Sequence, residues 1–81
     1  MRVSVLLFAR LRDVAGRAEI SKEVAAGATI GLLWRQLVSE FPAMAEYDRS
    51  ISSAVNADYA RMDQVLSDGD EVAFLPPVSG G

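Results

Sequence analysis

Eighty-one residues, 51% hydrophobic and 23% charged, make one small globular domain, too short for two cores and too apolar for a disordered chain. Cysteine and histidine are both absent, which excludes a thiolate or imidazole zinc site, a disulfide framework, a cysteine nucleophile and a Ser-His-Asp triad. A net charge of −3 lacks the basic footprint of a nucleic-acid or anionic-membrane binder, so the expected partner is a neutral or basic protein.

Residues 2–9 alternate as a strand, with Val3, Val5 and Leu7 on one face and Leu6 and Phe8 on the other. The apolar run from Val5 to Ala9 falls far short of the ~18–20 residues of a membrane span. Arg10 and Arg12 stand where a signal peptide would place its small-residue cleavage site, so a cytoplasmic protein is expected. Ala9 to Gly16 reads as a loop with room for one helical turn. Ala18 to Val24 reads as a second strand, which makes Gly16-Arg17 the expected link of a hairpin.

Thr29 has the chemistry of an N-cap, and Ile30, Leu33, Trp34, Leu37, Val38 and Phe41 follow at helical spacing. Pro42 pushes its preceding residue out of the α region and stops this helix near Glu40. Ala43 to Arg49 is expected as a short second helix. Ile51 to Asn56 reads as a strand, Asn56-Ala57-Asp58 as a turn and Tyr59 to Met62 as a short return strand. Asp63 to Leu66 then forms a loop or helical turn, and Asp68-Gly69-Asp70 turns the chain into a last strand, Glu71 to Leu75. The order is β-β-α-β-β-β. One substantial helix covers one face of a sheet, which leaves Leu6, Phe8, Ala73 and Leu75 on the open face, either as a partner interface or as singly exposed apolar residues.

Familiar nucleotide and metal motifs are missing. Gly27 and Gly31 make no dinucleotide fingerprint, no Gly-Lys-Ser/Thr forms a phosphate loop, and Asp68-Gly69-Asp70-Glu71 is turn chemistry rather than a calcium hand. Arg10, Arg12 and Arg17 cluster near the first loop, as a solvated face or as contacts for a partner's carboxylates.

The segment 76–81, Pro76-Pro77-Val78-Ser79-Gly80-Gly81, stands apart from the domain at 1–75. With Gly at about 7% of residues, a final Gly pair arises by chance in about 0.5% of chains, so a purpose is favoured over a frayed end. Two residues without Cβ can thread an aperture too narrow for any other type and leave the last acyl carbon unhindered. The two prolines favour an extended lead-in held clear of the sheet. The α-carboxylate is anionic at neutral pH and needs activation before a nucleophile can open it. Attack on the α-phosphate of ATP would supply that activation as an acyl-adenylate. Another protein must bind the ATP, and this chain would be its substrate.

Three segments together carry a resemblance: Leu66 to Gly81, with its Asp-Gly-Asp-Glu-Val and Pro-Pro-Val-Ser-Gly-Gly stretches, Leu7 to Gly16, and Ala54-Val55-Asn56. On these the chain resembles the small, sulfur-carrying subunits of molybdopterin synthase, within the ubiquitin-like sulfur carriers. The resemblance implies an α+β fold, a ubiquitin-like β-grasp with one main helix packed on one face of a mixed sheet. It also implies a chemistry. An adenylating enzyme of the ubiquitin-activating type converts the Gly81 carboxylate to an acyl-adenylate, sulfur from a persulfide makes a thiocarboxylate, and the tail delivers that sulfur to a pterin precursor in the large synthase subunit.

Residue by residue, the resemblance makes Gly81 the sulfur-bearing position and Gly80 its clearance. Pro76, Pro77, Val78 and Ser79 match the inserted segment, and Phe8, Arg12, Tyr59 and Leu75 match the partner interface. It implies no catalytic acid or base, no metal and no cofactor bound by this chain, with ATP used only by the activating partner, and an assembly of two small and two large subunits. Carriers for thiamine, cysteine or tRNA thiolation, a protein modifier joined through Gly81 to lysines, and a plain interaction domain remain the alternatives.

Overall fold

The structure, a computed structural model, describes residues 1–77. Five strands form one mixed sheet in the order β2-β1-β5-β3-β4. They are β1 (Arg2–Leu7), β2 (Glu19–Glu23), β3 (Ser52–Val55), β4 (Asp58–Tyr59) and β5 (Glu71–Leu75). β1 and β5 pair in parallel at the centre, and every other pairing is antiparallel. Helix α1 (Ala9–Ala15) connects β1 to β2, and α2 (Ile30–Glu40) packs across one face, followed by a 3-10 helix (Pro42–Tyr47). This is the expected α+β, ubiquitin-like β-grasp.

Alternation along the strands decides which residues meet α2. Val3, Val5 and Leu7 of β1, Ile20 of β2, Val55 of β3, and Val72 and Phe74 of β5 are buried beneath Ile30, Leu33, Trp34 and Leu37. The Trp34 and Phe74 rings lie 5.1 Å apart at 49°, and the Trp34 indole N–H donates to Asp48 Oδ1 at 2.7 Å. A large apolar ring is thereby buried with its one polar atom satisfied. Thr29 caps α2 as expected, its hydroxyl accepting from the Leu32 N–H at 3.2 Å. Replacing it, Thr29→Ala, is expected to cost about 1 kcal/mol, seen as a lower urea midpoint with unchanged slope.

Three sequence expectations are corrected. The segment after β1 is a full α-helix, Ala9–Ala15, rather than a loop with one turn, because Leu11 is buried in the core and Gly16, at φ 77°, ends the helix as its left-handed cap. The Gly16-Arg17 link of a tight hairpin is thus replaced by a helical connection. The short helix after Pro42 is of the 3-10 type, with Met44 inserted into the core. The return strand expected over Tyr59 to Met62 stops at Tyr59. Beyond it the backbone serves α2 instead: Met62 O accepts from Gly31 N at 2.8 Å and Gln64 O from Ile30 N at 3.0 Å, satisfying two of the unpaired donors of a helix N-terminus. A Cβ on Gly31 would stand 3.2 Å from that Met62 oxygen, so the close approach favours glycine.

The β3–β4 turn holds Asn56 at φ 51° and Ala57 at φ 75°. Two positive φ values suit a two-residue hairpin, but alanine is strained there. Ala57→Gly is expected to stabilise the fold by about 1 kcal/mol, raising the urea midpoint. Asn56 stays useful: its side chain donates to Asp70 Oδ1 at 3.0 Å and accepts from Glu71 N at 3.0 Å, tying the turn to the start of β5.

Candidate docking face and the root of the C-terminal segment

The face of the sheet turned away from α2 has no element over it among the described residues. Register lines its residues up across four strands: Leu6 is opposite Ala73, Ala73 opposite Ala54, and Ala54 opposite Tyr59. Alternation in the sequence does not single out Ala54; it lies on this face because its neighbours Ser53 and Val55 are aligned with the core residues Phe74 and Val72. One step further along, Leu75 is opposite Ser52.

Phe8 joins the same end. It follows Leu7, which is aligned with Phe74, and its backbone is still extended at φ −122° and ψ 153°, so its side chain continues the alternation away from the core. The chain then turns through Ala9 at φ 51° into α1. That conformation is uncommon for a residue with a Cβ, and it makes Phe8 the last extended residue of the strand. Phe8 is 44% exposed and Tyr59 81%, while Leu75 is half-buried. Arg12 is exposed one helical turn along α1 from Phe8 and makes no ion pair among the described residues.

The opposite margin of this face is polar. At the β2 edge Arg2 pairs with Glu23 at 2.8 Å and donates to Ser21 Oγ at 3.0 Å. The apolar part is therefore gathered at the end where β5 finishes and the chain continues into Pro76, half-buried, and Pro77, exposed. The structure brings Phe8, Leu75 and Pro76 to one end of the sheet, with Tyr59 in the cross-strand row just before it. Val78, Ser79, Gly80 and Gly81 lie outside the described residues.

The polar side chains of this face include the Tyr59 phenol, the Arg2–Glu23 pair and Glu71, which stands opposite Ser4. No group of three or more Asp or Glu residues that could hold a metal gathers among the described residues. A cleft of about 320 Å³ lies on the helix side, lined by Gly31, Trp34, Arg35, Asp48 and Met62. No helix among the described residues is long and apolar enough to cross a membrane.

An exposed apolar end of a sheet, running directly into a Pro-Pro lead, is suited to docking another protein. The sequence from residue 5 to 81 matches the model of the ThiS family. The chain belongs to the ThiS family. Within it, the chain is 40% identical over 83 residues to a molybdopterin synthase sulfur carrier subunit of Chlamydomonas reinhardtii, covering 100% of each chain. A protein of the same name from Mycobacterium tuberculosis is 39% identical over 84 residues, with 100% of this chain and 99% of that one covered. Among solved structures, SAMP1 of Haloferax volcanii superposes with a TM-score of 0.89 at 31% identity, again over 100% of both chains. The fold and the family expected from the three sequence segments are thus both found.

Proposed function

We propose that this chain is the sulfur carrier of a molybdopterin synthase, a subunit that presents its own C-terminus to other proteins and performs no catalysis itself. The observation that carries this reading is the full-length similarity to sulfur carrier subunits of that synthase. The apolar end of the open face, set beside the root of the C-terminal segment, supports it. In this reading a ubiquitin-activating-type enzyme joins the Gly81 carboxylate to AMP from ATP with release of pyrophosphate. The outer sulfur of a partner's persulfide then displaces AMP, and a second thiol reduces the resulting acyl disulfide to leave a thiocarboxylate. Phe8, Tyr59 and Leu75, with Arg12 at their margin, dock the large synthase subunit. Pro76, Pro77, Val78, Ser79 and Gly80 enter its pocket so that Gly81 reaches a pterin precursor. ATP belongs to the activating enzyme, and this chain needs no cofactor, nucleic acid or membrane. The reactions take place in the cytoplasm.

Two geometric requirements favour this division of labour. The acyl carbon must reach two different active sites in turn, which a short extended tail can do and an enclosed site in so small a domain cannot. The docking area must be reusable, which suits an exposed apolar end of modest size. Intact-mass spectrometry of the chain from cells able to load it tests the reading. The expected product weighs more by one sulfur in place of one oxygen, localised to Gly81; loaded cells yielding only the carboxylate would sink it.

A second reading is favoured by one finding, the likeness to a protein named small archaeal modifier protein 1. There the activated Gly81 would be joined to amines of target proteins. Adducts linked through an isopeptide bond to Gly81, found under loading conditions, would support that reading over sulfur transfer.

A further inference from the structure

Lys22 is the single lysine in the sequence, against seven arginines. A guanidinium stays protonated, whereas a lysine amine can be acylated once it loses its proton. Lysine scarcity therefore bears on a chain whose own C-terminus is to be activated. Every loaded copy would be an acylating agent, and every exposed amine on a neighbouring copy a competing acceptor.

The structure adds what composition does not. Lys22 shares the helix-side face of β2 with the buried Ile20, and its side chain is only 12% exposed. Its Nζ is held by Glu40 Oε2 in the last turn of α2. Gln36, one turn earlier on α2, donates to the β2 backbone at Glu23 O, 3.4 Å away, so the helix flank lies against this strand. The α-amino group of Met1 is engaged as well, donating to Val24 O at 2.8 Å. Phe8, Tyr59 and Leu75 lie on the other face of the sheet, so a protein docked there leaves Lys22 uncovered. Any protection of this amine must come from the chain itself.

We propose that the Lys22–Glu40 pair is a guard that keeps an activated carrier from becoming its own acceptor. The source of the activated acyl group rests on the carrier reading above; the shielding of Lys22 does not. The reaction it suppresses is fully specified. The lone pair of a deprotonated Lys22 Nζ attacks the Gly81 carbonyl carbon of another copy's acyl-adenylate and the N–C bond forms. The C–O bond to AMP then breaks with its electron pair, and the amine's second proton passes to water, leaving an isopeptide and free AMP. Held by the Glu40 carboxylate at the end of a largely buried stem, Nζ is less available for this attack than a free surface amine.

The test has two arms. Purified wild-type, Glu40→Gln and Thr29→Ala chains are treated briefly with an N-hydroxysuccinimide acetate probe, and acetylation at Lys22 is timed by peptide mass mapping. Lys22 is expected to react about three- to tenfold faster in Glu40→Gln than in the wild type, the range that losing a partly buried ion pair supports. Thr29→Ala, which loosens the same helix without touching the pair, should stay at the wild-type rate. Equal rates in wild type and Glu40→Gln, or an equal rise in Thr29→Ala, would overturn the guard. In the second arm the activating enzyme and ATP are supplied without a sulfur donor. Glu40→Gln should give Gly81–Lys22 dimers, absent when Lys22→Arg is added, and the wild type should stay monomeric. Dimers forming equally fast from the wild type would also overturn it. Failure of every chain to accept AMP would count against the carrier reading alone, with the probe rates still deciding the guard.

Discussion

Adding one bulky residue after Gly81, or deleting Gly80 and Gly81, is expected to slow molybdopterin formation more than about a hundredfold in a reaction reconstituted from activating enzyme, ATP, a sulfur donor, large subunit and precursor. The expectation follows from where the chemistry is placed. If the last backbone carbonyl is the reacting centre, a residue beyond it moves the carboxylate by a full residue length and puts a Cβ where none fits. Displacements of about 1 Å already cost about a hundredfold in well-aligned reactions. Folding should be untouched, because the core ends at Phe74 and no residue beyond it belongs to the buried cluster among the described residues. An identical urea midpoint beside a collapsed rate is the expected pair of results. A capped chain that works at full rate without being trimmed would refute the carrier reading.

Phe8→Asp and Tyr59→Asp are each expected to weaken binding to the large subunit by about 30-fold, the effect of losing an aromatic anchor worth about 2 kcal/mol. Both side chains are exposed in the free chain, so neither change opens a cavity, and the unfolding midpoint should move little. Two further exposed apolar residues serve as controls. Leu32 on α2 and Val65, which bridges Thr29 at the N-terminus of α2, lie on the helix side of the sheet and are 54% and 58% exposed. Leu32→Asp and Val65→Asp should bind like the wild type. Titration calorimetry with the isolated large subunit separates the two sets, and equal losses from both would move the interface off the open face.

The periodic elements were legible in the sequence because each repeats its signal. Residues 30–40 offer three turns of apolar spacing behind a hydroxyl cap, and β1 and β5 alternate over whole strands, so the open face follows from the core face by subtraction. Helix α1 was not legible because seven residues give fewer than two turns. Its available signal was Leu11, Val14 and Ala15 at helical spacing with Gly16 behind them, in the place of a left-handed cap. The segment after Tyr59 misled for a different reason. Tyr59, Ala60, Arg61 and Met62 alternate as a strand would, but the donors that claim this backbone belong to α2, some thirty residues earlier, and no local pattern records that.

The candidate site divides the same way. Phe8 and Leu75 are placed by alternation alone, and Tyr59 is placed by its register opposite Ala54. The grading of the open face from ionic at β2 to apolar at the end of β5 needed the strand order, since β1 and β5 are separated by more than sixty residues. The pairing of Lys22 with Glu40 is equally non-local, joining an edge strand to the far end of a helix.

The central position of β5 has a mechanical consequence. A protein that grips the C-terminal segment and draws it inward pulls along the axis of β5, which is laced on one side to β1 and on the other to β3. Tension in that direction loads both ladders in shear, so their hydrogen bonds resist as a group, whereas an edge strand peeled away would lose its bonds in succession. On the carrier reading, a strand anchored on both sides is the one from which a C-terminal segment can be drawn into one protein and then another with the least risk to the fold.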